Sequence, residues 1–297
     1  MKHLRIGLAQ LAPGLGRFEG NLELHHGWLA DARQQDVDLL VFPELGLTGY
    51  LLQDLNADVA MRRDDPRLLE LADATRGLSA VVGFVEESDD HQLYIAAALL
   101  EDGELRHVYR KSYLPNYGLF DERRFFGHGD QLRAVPSRLG LNLGISICED
   151  FWHLATPYLL ALDGAQLLVN ISSSPGRDVA AVVESGLGTA DSWRPLLRSY
   201  AMLTTCFVVY VNRVGVEESL TFWGGSEVID PSGETVLRAP LHDEGLFVAE
   251  IDPAAVRRER VALPLLRDER PDFVLRQLER IARSRSGQDD ERPETRE

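Results

Sequence analysis

Cys148 closes the apolar run Gly144-Ile145-Ser146-Ile147 and is followed by Glu149-Asp150-Phe151-Trp152. A thiol at the end of a strand, flanked by carboxylates, is placed as a reactive nucleophile rather than as a buried filler. Two other segments share this form. Phe42-Pro43-Glu44-Leu45 ends an apolar run on a carboxylate, and Tyr109-Arg110-Lys111-Ser112-Tyr113-Leu114-Pro115 ends one on a cation. Strand ends are where active sites of α/β folds gather. A Glu, a Lys and a Cys brought together can cleave an amide. Glu44 would accept the thiol proton, and the thiolate would attack a carbonyl or nitrile carbon. Lys111 and the backbone N–H of Glu149 would face the oxyanion. Glu44 would then protonate the leaving nitrogen and activate the water that hydrolyses the thioester. On spacing alone, Glu and Lys at strand ends are also common as solvated residues, so both readings stand at this point.

Positioning three such groups needs several strands. Leu4 to Leu11 and Val37 to Phe42 read as strands, with helical spacing of Leu22, Leu24, Trp28, Leu29 and Ala32 between them and Asn21 as the expected cap. This is a β-α-β unit. Leu78 to Val85 and Leu93 to Leu100 follow, and Asp102-Gly103 signals a hairpin into Leu105 to Tyr109. Further strands are expected at Leu141 to Ile147, Gln166 to Ile171, Phe207 to Val211, Ser226 to Ile229 and Gly245 to Ile251, with helices near Ala155 to Leu162 and Arg194 to Thr205. Pro231-Ser232-Gly233 marks a tight turn. The pattern predicts an α/β fold of two packed mixed sheets with outer helices. A single domain over 1–283 is expected. The stretch 284–297, rich in Arg, Ser, Gly, Asp and Glu, is expected to be a disordered tail.

With 297 residues and 44% hydrophobic content, the chain can bury a large core. Its formal charge of −16 argues against nucleic-acid or anionic-membrane surfaces as partners. Two cysteines, Cys148 and Cys206, give no disulfide framework and fit a reducing, cytoplasmic setting. No cleavable leader or long apolar run is read, so neither export nor a membrane span is expected.

Read together, these motifs resemble the nitrilase (carbon–nitrogen hydrolase) superfamily from Ile6 to about Phe273. The Glu motif is similar to Phe42-Pro43-Glu44-Leu45 with Thr48-Gly49-Tyr50, the Lys motif to Arg110-Lys111 with Leu114-Pro115, and the Cys motif to Cys148-Glu149-Asp150. The resemblance implies a four-layer α-β-β-α sandwich, usually a homodimer or larger homo-oligomer, and a Glu44-Lys111-Cys148 triad. It implies that Glu122, in Asp121-Glu122-Arg123-Arg124-Phe125-Phe126, is a second glutamate that buttresses the lysine. Within the superfamily the chain is most similar to the glutamine amidotransferase domain of glutamine-dependent NAD synthetases. By that likeness Tyr117, Glu149, Trp152 and Ser174 line a pocket for a glutamine-like amide. The sequence departs from that domain after Ser172-Ser173-Ser174-Pro175-Gly176, where Arg177 is the candidate substitute for its substrate-holding basic residue. The chain ends where an ATP-using domain would begin, and no Gly-rich phosphate loop with Lys-Ser or Lys-Thr occurs, so NAD synthesis by this chain alone is not expected.

Other motifs read as structural. Cys206 beside Phe207-Val208-Val209 is a core thiol, and His153 is a surface or capping group rather than a dyad partner. The loose glycines Gly14, Gly16 and Gly20 lack a dinucleotide-binding context. No His-Glu-x-x-His pattern or cysteine pair suggests zinc, and the chemistry needs no metal or cofactor. Trp193, Phe222 and Trp223 are read as packing, and Arg270 to Arg283 as a solvated or dimer-crossing helix. The expected function is hydrolysis of a small carboxamide to acid and ammonia through a Cys148 thioester, with a glutaminase or ω-amidase as its sharper form. The alternatives are an ammonia-donating subunit of a separate synthetase, a nitrilase, and a catalytically silent interaction subunit.

Overall fold

Apolar β-branched runs closed by turn residues set the strands, and helical spacing fills the crossovers between them. The computed structural model describes residues 2–176 and 188–285. Its first half runs β1 (Leu4–Gln10), α1 (Phe18–Gln34), β2 (Leu39–Val41), α2 (Asn56–Val59), α3 (Pro66–Asp73), β3 (Ser79–Glu87), β4 (Leu93–Glu101) and β5 (Glu104–Arg110). The middle adds β6 (Ala134–Pro136), β7 (Asn142–Ile147), α4 (Ala155–Leu162), β8 (Leu167–Ser172), α5 (Gly188–Thr204) and β9 (Phe207–Asn212). Then come β10 (Val214–Glu217), β11 (Leu220–Trp223), β12 (Glu227–Ile229), β13 (Thr235–Arg238) and β14 (Gly245–Ile251). Three helices close the described chain: α6 (Ala254–Ala262), α7 (Leu265–Asp268) and α8 (Pro271–Arg285).

The strands form two six-stranded mixed sheets, ordered β14-β1-β2-β3-β4-β5 and β13-β12-β9-β8-β7-β6, plus the β10-β11 hairpin. Each sheet has three parallel strands at its heart: β1-β2-β3 in one and β7-β8-β9 in the other. Antiparallel partners flank both trios in matching order. The two halves of the molecule are therefore built on one plan, and the ends of β2 and β8 occupy equivalent places. The parallel trios are covered on both faces, which explains their unbroken apolar runs such as Leu39-Leu40-Val41 and Leu167-Leu168-Val169. The sheets meet through β1 against β9 and β4 against β7. Helices α1 and α3 lie over one sheet, α4 and α5 over the other, giving the expected four layers.

Differences from the sequence reading are local. Helix α1 starts at Phe18, three residues before Asn21, whose side chain instead bonds both Gly14 N and O and reaches Leu47 O at 3.1 Å. Asn21 clamps two loops instead of capping. The short helices α2 and α3, the edge strand β6 and the β10-β11 hairpin lack long apolar patterns and are not anticipated, whereas the expected turn Pro231-Ser232-Gly233 joins β12 to the edge strand β13. Helix α8 runs to Arg285, two residues into the stretch expected to be a tail, and 286–297 lie outside the described residues.

Candidate active site

Glu44 follows β2 on the turn Phe42-Pro43-Glu44, and Leu45 after it has φ of 50°, a left-handed conformation uncommon for a side-chain-bearing residue. The turn packs directly on β3, where Gly83 leaves room for it. A Cβ at Gly83 would stand 2.5 Å from Pro43 O and 2.6 Å from Leu45 N. Ser173, at the equivalent end of β8, donates its N–H to Glu44 Oε2 at 2.8 Å and its hydroxyl to Glu44 O at 2.8 Å. Glu44 is thereby fixed from both sheets.

Lys111 stands one residue beyond β5 with no exposed surface. Its Nζ donates to Glu44 Oε1 at 2.7 Å and to Glu122 Oε1 at 2.8 Å. An ammonium is stable in such a place only because carboxylates surround it. Burial pushes its pKa down, but the fields of Glu122 and Glu44 win and hold it well above the ordinary lysine range. Glu122 is pushed up to about 7 by burial, with Lys111 pulling the other way and Glu44 adding to the rise. Tyr50 donates to the same Glu122 oxygen at 2.6 Å. Tyr50 is itself placed by Glu217, which accepts from Tyr50 N at 3.0 Å and Leu51 N at 3.1 Å and pairs with the buried guanidinium of Arg213. Gly49 allows this, since its φ is 80° and a Cβ there would lie 2.8 Å from Glu217 Oε1. A chain of buried polar contacts thus runs from β10 through Tyr50 and Glu122 to Lys111 and Glu44.

Cys148 leaves β7 with φ of 43° and opens the 3₁₀ turn Cys148–Trp152. Such a conformation costs about 1–3 kcal/mol in a non-glycine residue, and the surrounding structure must impose it. Cys148 as a whole keeps 8% exposure. Burial, and then the negative field of Glu44, raise its pKa well above the ordinary thiol value, while Lys111 opposes them. The resting group is therefore a neutral thiol. The structure brings Glu44, Lys111 and Glu122 into one hydrogen-bonded cluster, within whose field Cys148 lies.

Of the expected pocket residues, Tyr117 and Glu149 are joined by hydrogen bonds of 2.9 and 3.0 Å. Both line a cavity of about 440 Å³ together with Tyr113, Arg123 and His153. A second cavity, of about 240 Å³, is lined by Tyr50 and Glu122. Neither is lined by Cys148, but its immediate neighbour Glu149 and its cluster partner Glu122 each border one. Trp152 is half exposed and edge-on to buried Trp193 at 5.1 Å, and the Trp193 indole donates to Ser174 Oγ at 3.1 Å. Arg177 lies outside the described residues. His153 stacks on Tyr113 at 3.6 Å and faces Glu149 at 3.8 Å, a surface role rather than a thiol partner. Cys206 is fully buried and bonds Ala165 O at 3.1 Å. Sequence reading overlooks Gly83, Ser173 and the Arg213-Glu217 pair. Only Ser173 carried a signal, its position at a strand end in a run of three serines.

The layered α/β fold is shared with solved carbon–nitrogen hydrolases, and the chain belongs to that family. The carbon–nitrogen hydrolase family model matches residues 5–260. A glutamine-dependent NAD(+) synthetase from Thermotoga maritima is 39% identical over 263 residues, covering 85% of this chain and 42% of the synthetase. The chain thus spans less than half the length of that relative. Among solved structures, a carbon–nitrogen hydrolase from Helicobacter pylori superposes with a TM-score of 0.82 at 25% identity, covering 93% of this chain and 99% of the other. An amidase mutant from Nesterenkonia sp., bearing the acetamide moiety of fluoroacetamide covalently on its active-site cysteine, superposes at 0.76 with 26% identity over 92% of this chain and 96% of its own. No helix among the described residues is long and apolar enough to cross a membrane.

Proposed function

We propose that the chain is an amidase that hydrolyses a small carboxamide to acid and ammonia through a thioester on Cys148. The observation that carries this reading is the buried Lys111 ammonium, hydrogen-bonded to Glu44 and Glu122 in the field of a strained thiol. Structural stability alone does not call for such a cluster, since a buried ion triad is often replaceable by apolar groups without loss. Chemistry explains it. Glu44 takes the Cys148 proton as sulfur bonds to the carboxamide carbon, so thiolate and tetrahedral oxyanion form without a free charge persisting in the interior. Lys111 and the Glu149 N–H stabilise the oxyanion. Glu44 returns its proton to the nitrogen, the C–N bond breaks and ammonia leaves. Water, deprotonated by Glu44, attacks the thioester carbon, and the thiol departs with the proton that Glu44 holds. Glu122, anchored by Tyr50, keeps the ammonium in place through both halves of the reaction.

Likeness to NAD synthetases supports a glutamine-like amide, with the Glu149 carboxylate and Tyr117 hydroxyl as the groups that meet its polar end. The same likeness supports a second reading, in which the ammonia serves a separate synthetase rather than being released. Ammonia release from glutamine, asparagine, ω-amides and short aliphatic amides, compared between wild type and Cys148→Ala, tests the proposal. Equal release by both proteins would overturn it. Added synthetase that converts the ammonia without its appearance in bulk solution would favour the second reading.

A further inference from the structure

Asp150 is fully buried two residues after Cys148, and no step proposed above uses it. Its two carboxylate oxygens face different parts of the molecule. Oδ2 accepts from Ile147 N at 2.8 Å, the last residue of β7 before the nucleophile, and from the Tyr109 hydroxyl at 2.8 Å. Oδ1 accepts from Ser112 N at 3.2 Å and Tyr113 N at 2.9 Å, the two residues that follow Lys111. The bond back to Ile147 N is that of a capping box, satisfying an amide at the mouth of the 3₁₀ turn. Helix capping requires only that bond. The other three tie the turn to β5 and the residues that follow it, and β5 belongs to the opposite sheet.

We infer that Asp150 is a positioning residue that sets the distance between Cys148 and Lys111 by clamping the nucleophile turn of one sheet to the lysine-bearing strand of the other. The inference rests on the proposed roles of Cys148 and Lys111. A carboxylate suits the task because all four of its neighbours are donors and it alone among side chains of this size presents two acceptor-only oxygens. Burial raises its pKa to about 6, against the bonds from Ile147 and Tyr113 and the field of Lys111. Among the described residues no ion pair to a cation reaches it, so carrying that charge in the interior is costly, and the donors arranged on both oxygens are what compensates it. Ser173 performs the matching task for Glu44 at the equivalent strand ends, so each reacting group on the first sheet is pinned to the second by hydrogen bonds to backbone.

Asp150→Asn keeps the shape but turns an acceptor into a donor, so either the Ile147 side or the Ser112–Tyr113 side loses its bonds. The expected result, measured well below the melting temperature, is kcat lowered by about fiftyfold with KM within about twofold, as for a misplacement of the reacting groups by a fraction of an ångström. Iodoacetamide modification of Cys148, normalised to denatured protein, is expected to slow by about tenfold, because the thiolate loses the aligned Lys111. Tyr109→Phe removes one of the four bonds to Asp150, along with the Tyr109 hydroxyl's 3.1 Å bond to Ser112 Oγ, without touching the turn, and is expected to give the same pattern at about a third to a tenth of the size; it decides the matter if Asp150→Asn does not fold. Wild-type kcat and wild-type alkylation in either folded variant, with only the melting temperature lowered, would overturn the inference. So would a rise in KM at unchanged kcat. Slowed alkylation in a protein whose wild type releases ammonia from no amide would uphold the clamp and overturn the amidase reading, so the two failures are distinguishable.

Discussion

A single methyl group placed on β3 should disable the site by pushing the Glu44 turn away. The Cβ of Gly83→Ala would lie 2.5 Å from Pro43 O, 2.6 Å from Leu45 N and 2.9 Å from Glu44 Cα, all main-chain atoms that no rotamer change can move aside. Ordinary contact begins at 3.4 Å, so β3 and the Glu44 turn must part by about 0.9 Å. The turn is held to β3 by Phe42 N to Val81 O at 2.9 Å and Leu47 N to Gly83 O at 3.4 Å, and the second of these has little to spare. Displacing Glu44 by this much stretches its 2.7 Å bond to Lys111 and its 2.8 Å bond from Ser173 to or beyond the limit of a hydrogen bond. A misplacement of that size costs about a hundredfold in rate. Overpacking adds a stability loss of about 1–3 kcal/mol. The assay is kcat and KM for ammonia release, with the melting temperature as control. Tyr117 and Glu149 lie on other segments, so KM should hold. A folded Gly83→Ala protein with kcat within twofold of wild type would refute the claim that Glu44 placement on β3 governs the rate.

Lys111→Met leaves Glu44 and Glu122 without their shared cation, and activity should fall by about a thousandfold or more, as for loss of a principal oxyanion stabiliser; ammonia release and Cys148 alkylation should fall together. Arg213→Met strands the buried Glu217 carboxylate, which orders Tyr50 and Leu51, and should cost about 3–5 kcal/mol in denaturant unfolding. Glu122, at about 7 against an ordinary 4.5, gives activity and stability opposite trends with pH. Its ionised form shares Lys111 with Glu44, so kcat/KM should rise through pH 7. Because the folded pKa is raised, its contribution to stability is full below 4.5 and is lost as pH climbs through 7. Glu122→Gln should remove both steps, and their persistence in pH–rate and melting profiles would assign them elsewhere. Tyr117→Phe should raise KM by about tenfold and leave Cys148 alkylation unchanged, because its hydroxyl donates to the pocket carboxylate of Glu149.

The reacting groups were the most legible part of the chain. Glu44, Lys111 and Cys148 each follow a strand end, but β2 spans three residues and β5 carries Glu104, Arg106 and Arg110, so it is the resemblance to the family's motifs that singles the three out. Strand β14 and helix α4 fall on their expected bounds. What the sequence hid is the apparatus that holds the groups together. Gly83 reads as one more residue in a buried strand, because its need for emptiness arises only from a turn 39 residues upstream. Asp150 reads as a neighbour of the nucleophile, whereas its partners come from β5 and the loop after it. Arg213 and Glu217 are four residues apart on a strand pair too short to show alternation, and their burial follows from the hairpin folding over the Tyr50 loop. Close approach between sheets has no one-dimensional signature.

The central claim is that Cys148 carries the acyl group. Acid quenching of the protein during turnover of its best amide, followed by peptide mass measurement, tests it most directly. The account predicts an acyl mass on the peptide containing Cys148, absent from Cys148→Ala, which should also release no ammonia above background. An acyl group on Cys206 instead, or a Cys148→Ala protein that turns over at the wild-type rate, would contradict it.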